Sequence, residues 1–106
     1  MRIVVTAAWL WNGADLLPEP AIEIEDGAIA GISRRGATEL PAGARVVDFP
    51  GATLAPAFFD VHFHGARGHD VMEATPEALA AIGGFLAAHG TGSYLATTVT
   101  APLDAT

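Results

Sequence analysis

The strongest constraint on the fold is a helix signal standing between two β-prone runs. Thr75 is placed to cap the helix N-terminus, Pro76 suits its first position, and Glu77 puts a negative charge in the first turn. Leu79, Ile82 and Leu86 recur at helical spacing, His89 falls in the last turn, and Gly90 supplies a C-terminal stop. Gly83-Gly84 weakens this helix and is expected to let it pack closely on a strand. Upstream, Phe58 to Phe63 is an aromatic and β-branched run suited to a strand buried on both faces. Downstream, Tyr94 to Thr100 predicts a second strand, and Pro102 is expected to open another helix. Two strands joined by a helix predict a parallel βαβ unit with a right-handed crossover. Two strands cannot close a barrel, so the chain is expected to stop before its sheet is complete.

The stretch before Pro56 has a different character. Arg2 to Ala8 is β-prone and Asn12-Gly13 punctuates it. Ile22 and Ile24 alternate with Glu23 and Glu25, the period-two pattern of a half-buried strand. Asp26-Gly27 then signals a hairpin into Ala28 to Ser33. Arg45 to Phe49 forms a further short run, which Pro50-Gly51 is expected to turn. The expected organisation is α/β, with a small N-terminal β-sandwich module over residues 1–55. Residues 56–106 then follow as the first βαβ unit of an incomplete barrel. Trp9 and Trp11 are expected in core or interdomain packing.

Composition narrows the function classes. The 106 residues carry a formal charge of −7 with only five Lys and Arg, which argues against a nucleic-acid partner. The chain has no cysteine, so disulfides, thiolate metal sites and Cys nucleophiles are excluded. Met1 to Val5 lacks the pattern of a signal peptide, and no apolar run approaches the roughly 20 residues that span a bilayer. A soluble, cytoplasmic protein without a membrane partner is expected.

The chemistry concentrates in Asp60-Val61-His62-Phe63-His64-Gly65. Successive strand side chains point to opposite faces, so Asp60, His62 and His64 share one face and Val61 and Phe63 the other. Two imidazoles at i and i+2 can grip one divalent cation, with Zn the expected metal. A His-x-His on an ordinary surface strand is more often without function. Here the pair ends an apolar strand and precedes a loop with small residues at Gly65, Ala66 and Gly68. In a (β/α)8 barrel, active sites form at that end of the strands. Asp60 is equally suited to orienting a ligand or to bonding backbone or threonine groups. Asp70 is expected to cap the loop, His69 to face solvent, and His89 to favour the helix dipole without a catalytic role. The Thr97-Thr98-Val99-Thr100 run ends the second strand, where β-propensity alone accounts for its threonines. Two histidines fall short of the three or four protein ligands usual for Zn, and no carboxylate is placed as a general base. No residue is assigned a catalytic role, and substrate-binding residues remain unassigned.

Pro56-Ala57-Phe58-Phe59-Asp60 followed by His62-Phe63-His64-Gly65 resembles the first barrel strand of the amidohydrolase superfamily. Gly65 to Met72, Ala74 to Leu79, and His89-Gly90-Thr91 through Thr97 to Pro102 are similar to N-acetylglucosamine-6-phosphate deacetylases. The resemblance spans nearly the whole chain and is weaker in the β module. It implies an N-terminal β module, completed by strands from the far C-terminus, beside a (β/α)8 barrel. It also implies metal-dependent removal of acetate from N-acetylglucosamine 6-phosphate in amino-sugar metabolism, an amino-sugar phosphate being the partner. By position His62 and His64 match the first-strand metal ligands, of one or two divalent metals in a complete site. Some members lack the pair and hold a single metal with later residues, so the pair can serve an optional second site. The later ligands, the acid–base Asp and the phosphate-binding residues have no counterpart here. The 106-residue chain alone is expected to be inactive, and the full-length parent a homo-oligomer. Ala57, Arg67 and Ala96 depart from the family pattern, which more often has Gly, a small residue and Pro there. Arg67 suits either attraction of an anionic substrate or plain solvation. A dihydroorotase- or dipeptidase-like amidohydrolase and a noncatalytic fragment are the competing readings.

Overall fold

The computed structural model describes residues 1–105, and the chain divides into two units, Met1–Pro56 and one that begins at Ala57. Thr106, the last residue of the expected barrel portion, lies outside the described residues.

The first unit is built around one long strand. β1 (Arg2–Trp11) pairs antiparallel with β2 (Leu16–Pro18) and then with β3 (Pro20–Glu25). Trp11 faces Leu16 and Arg2 faces Glu25 in one continuous register, broken only at Glu19, whose φ is 50°. The Asn12 side-chain oxygen accepts from the backbone N–H groups of Ala14 and Asp15 and so closes the first turn. At the next turn Asp26 and Gly27 have φ of 50° and 85°, the two positive values that a type I′ hairpin requires. β4 (Ala28–Arg34) returns along β3, and β5 (Arg45–Leu54) runs parallel to β1 on its other edge. With both edges paired, β1 buries residues on both faces: Val4, Thr6 and Leu10 on one, Ala7 on the other.

Among the described residues of this unit the strands form a single mixed sheet, every strand joining through β1 or β3. Two expectations need correction in this unit. Pro50-Gly51 does not turn the chain. It makes a bulge inside β5, where the pairing steps from Ala7–Phe49 to Trp9–Thr53 and Gly51 takes a φ of 79°. Trp9 and Trp11 are each more than two-fifths exposed and contribute little to the core. Ile22 is buried and Glu25 exposed, as the alternation implied, but Glu23 and Ile24 are both half-buried, where the pairing with β4 shifts register between them.

In the second unit β6 (Phe58–Phe63) leads through a small hairpin, β7 (Gly65–Ala66) and β8 (His69–Asp70), into α1 (Pro76–Ala88). β9 (Thr91–Ala96) then pairs parallel with β6, giving the expected βαβ unit. The Thr75 hydroxyl accepts from the Ala78 N–H at 3.2 Å, and Gly90 follows the helix at φ 84°. His89 is the C-cap, and its Nδ1 meets the free Phe85 carbonyl at 2.8 Å. The buried stripe is Ala78, Ile82 and Leu86, one residue per helical turn, and Leu79 lies outside it. Ile82, Leu86 and Val71 form the core, against which Phe63, Met72, Phe85 and Tyr94 pack.

Other boundaries also move. β9 starts at Thr91 and ends at Ala96, so the threonine run lies beyond it. β6 is not buried on both faces: Phe58, Phe59 and Val61 are exposed, since β9 is its one strand neighbour among the described residues. After Pro102 a 3-10 turn spans Leu103–Ala105, the last described residues. A Cβ added at Gly83 or Gly84 would meet nothing within 4 Å, so neither glycine is needed for close packing.

Candidate metal centre

The two histidines come together at the C-terminal end of β6. His62 is in the strand and His64 follows its last residue. Their ring centroids are 4.7 Å apart at an interplanar angle of 84°, and the two Nε2 atoms approach to 3.0 Å. Phe63 lies between them in sequence and joins the core, its ring 5.4 Å from that of Tyr94. Core packing of the middle residue thus turns both imidazoles to the other side of the strand.

Backbone contacts hold this arrangement. The β6–β9 register shifts between Asp60 and Phe63, a bulge of the kind that re-aims side chains beside functional sites. The His62 N–H turns to Asp60 Oδ1 at 3.1 Å. Asp60 therefore serves the local backbone; it makes no bond to an imidazole. The Thr97 hydroxyl accepts from the Phe63 N–H at 3.1 Å, and the Thr97 N–H donates to the Phe63 carbonyl at 2.8 Å. His64 Nδ1 lies 2.8 Å from the Thr97 carbonyl oxygen. Because a carbonyl can only accept, that nitrogen carries a hydrogen, and in the neutral ring His64 Nε2 then keeps its lone pair. The His64 carbonyl accepts from the Val71 N–H at 2.8 Å, tying the pair to the start of the next turn.

That turn is locked by acidic side chains. Asp70 caps Val71–Glu73: its carboxylate accepts from the Met72 N–H at 2.8 Å, while Glu73 reaches back to the Asp70 N–H at 2.7 Å. Glu73 Oε2 also meets His69 Nδ1 at 3.2 Å. The Asp70 N–H first, and His69 second, hold the Glu73 carboxyl below the usual glutamate range. The Asp70 cap agrees with expectation. The His69–Glu73 contact was missed, although its i,i+4 spacing is visible in the sequence. Arg67 and Gly68 hold the hairpin tip at φ of 59° and 81°.

The donor set fits part of a metal site. Two nitrogens 3.0 Å apart subtend about 95° at a point ~2.05 Å from each, between octahedral and tetrahedral values. Among the described residues no third His, Cys, Asp or Glu joins them. The pair can contribute two ligands and cannot enclose a cation.

No family model matches the chain. The proteins it is similar to, in sequence and in fold, are named as N-acetylated amino-sugar 6-phosphate deacetylases. In particular, it is 37% identical over 104 residues to an N-acetylgalactosamine-6-phosphate deacetylase of Escherichia coli O157:H7, covering 98% of this chain and 26% of that protein. It is 39% identical over 83 residues to an N-acetylglucosamine-6-phosphate deacetylase of Vibrio furnissii, covering 74% of this chain and 19% of that one. The crystal structure of N-acetyl-D-glucosamine-6-phosphate deacetylase from Mycobacterium smegmatis matches 93% of this chain with a TM-score of 0.72 at 29% identity. It is matched over 27% of its own length. The Pasteurella multocida N-acetylglucosamine-6-phosphate deacetylase shares the fold over 99% of this chain and 27% of its own, with a TM-score of 0.82 at 23% identity. The chain spans between about a fifth and a quarter of the length of the curated relatives it matches.

Proposed function

We propose that the chain is the N-terminal part of a metal-dependent hydrolase that converts N-acetylglucosamine 6-phosphate to glucosamine 6-phosphate and acetate. The observation that carries this reading is the convergence of His62 and His64 Nε2 at 3.0 Å, in a chain whose relatives are named for this reaction. A mutant of the Mycobacterium smegmatis enzyme is known in complex with N-acetyl-D-glucosamine-6-phosphate, which supports a phosphorylated amino sugar as the substrate class. In this reading β6 and β9 are the first two strands of a (β/α)8 barrel, and the histidines face its catalytic end.

His62 and His64 would hold one divalent metal, with Zn suited to imidazole nitrogen. When bound, such a metal supplies Lewis acidity toward an amide carbonyl and favours ionisation of water. The chain's own residues do the positioning. Phe63 anchors the strand in the core, Thr97 fixes His64, and Asp60 accepts from the His62 N–H. We place the reaction in the cytoplasm; among the described residues no helix is long and apolar enough to cross a membrane. A second reading exchanges the substrate for its C4 epimer, since the relative matched over 98% of the chain is named for N-acetylgalactosamine 6-phosphate.

Acetate release from both sugar phosphates by the full-length parent tests this function. The expected result is metal-dependent release, reduced about 10–100-fold or more in the His62→Ala/His64→Ala variant with loss of one bound metal. The 106-residue chain alone should release no acetate, having two of the needed ligands and no acid–base carboxylate. Failure of the metal-loaded parent to deacetylate either epimer would sink the function. Unchanged metal content and turnover in the double variant would remove the pair from it.

A further inference from the structure

We infer that Thr97 is the positioning residue of the histidine pair, holding His64 ready for a cation while leaving His62 in the opposite tautomer. This rests on the metal reading above and adds an asymmetry between the two histidines.

Thr97 follows the last residue of β9, where regular pairing with β6 has ended. Each of its polar groups is nevertheless engaged. The N–H donates to the Phe63 carbonyl at 2.8 Å, and the hydroxyl accepts from the Phe63 N–H at 3.1 Å. The same hydroxyl donates to the Leu95 carbonyl at 3.1 Å, and the Thr97 carbonyl accepts from His64 Nδ1 at 2.8 Å. One residue therefore grips both backbone groups of Phe63, the residue between the histidines, and one of the rings. A hydroxyl is needed because the same atom must accept from one backbone group and donate to another. The bulge in β6 leaves the Phe63 N–H without its ladder partner, and an unpaired N–H at that point is costly.

The tautomers follow. With hydrogen on Nδ1, a neutral His64 presents a bare Nε2, the state a metal ligand needs. His62 Nε2 lies 3.0 Å from that lone pair, so His62 carries the hydrogen between them. For a cation to sit between the nitrogens, His62 would give up that hydrogen to solvent and take one at its own Nδ1, while nothing on His64 changes. The two ligands are unequal by construction, and Thr97 is the reason.

The test is side-chain 15N NMR of the 106-residue chain, without metal and then with Zn, at about pH 9, well above the ordinary imidazole range. We expect His64 wholly as the Nδ1–H tautomer and His62 as the Nε2–H tautomer, with Zn converting His62 alone. Thr97→Val should leave His64 a mixture of tautomers and weaken Zn binding about 10–100-fold, while Thr97→Ser should retain both properties. Finding His64 as the Nε2–H tautomer in the native chain would overturn the inference without any variant. So would a folded Thr97→Val protein with unchanged tautomers and unchanged Zn affinity. If the tautomers hold and depend on Thr97 but the full-length parent binds no metal, the positioning stands and the metal reading fails.

Discussion

Gly65 offers the sharpest test of how the site is held. It follows His64, and its Cα pairs with Asp70 across the β7–β8 hairpin. A Cβ at this position would collide with the His69 carbonyl oxygen and stand 2.9 Å from the Asp70 Cα. Both are backbone atoms, so neither can swing aside, and the hairpin strands must part. Overpacking of this kind costs about 1–3 kcal/mol. Gly65→Ala belongs at the upper end of that range, because moving His69 and Asp70 also disturbs the Glu73–Asp70 cap and the bond from Val71 to the His64 carbonyl. Gly84→Ala is the matched control. A Cβ there meets nothing within 4 Å, and replacing a glycine inside an exposed helix should stabilise by about 0.5–1 kcal/mol. Urea unfolding followed by the NMR signals of Tyr94 and Val71 measures both changes in the second unit. Zn titration should show weaker binding for Gly65→Ala and no change for Gly84→Ala. Equal stability of Gly65→Ala and the native chain would refute the close-approach reasoning.

Ala74 sits in the left-handed region at φ 50° and ψ 26°, a conformation that costs a residue with a Cβ about 1–2 kcal/mol. Part of that is offset by the unfolded-state entropy of glycine, so Ala74→Gly should raise stability by about 0.5–1 kcal/mol in the same unfolding assay. Glu73 introduces a pH dependence. Its carboxyl is held below the usual range by the Asp70 N–H and by His69, so its contribution is fully present above the ordinary glutamate value. That contribution is lost as the pH falls through the lower folded value. Protection of the Asp70 N–H from hydrogen exchange, taken relative to the intrinsic rate at each pH, should fall across that acid range, and Glu73→Gln should abolish the step.

Features encoded within a few residues were legible in the sequence. The Thr75 cap, the Asp26-Gly27 turn and the parallel pairing around α1 each depend on short-range chemistry or on the order of elements. Features that depend on partners elsewhere were not. Pro50-Gly51 has the composition of a turn, but β1 continues alongside, and the chain gains more by bulging past two residues than by leaving the sheet. Leu79 satisfies helical spacing with Ile82 and Leu86, yet Ala78 occupies the buried position, because the stripe steps by four residues from one turn to the next. The exposed faces of Phe58, Phe59 and Val61 depart from the expectation of a fully buried strand because burial requires neighbours on both sides of β6.

The site divides along the same line. That His62 and His64 share a side follows from strand periodicity, and Phe63 packs into the core as that periodicity requires. The role of Thr97 could not be found that way, since a threonine at the end of a β-prone run has an adequate explanation in propensity. Its contacts arise from a register shift in a strand more than thirty residues away, which frees the Phe63 N–H and brings the Thr97 carbonyl beneath His64. Asp60 makes the complementary case. A carboxylate two residues before a histidine suggests ligand orientation, but the same bulge frees the His62 N–H, and Asp60 bonds that instead. The bulge thus decides both assignments. It gives Asp60 to the backbone and leaves the orientation of the imidazoles to β9, so the geometry of the pair depends on the pairing of β6 with β9 as much as on the His-x-His motif.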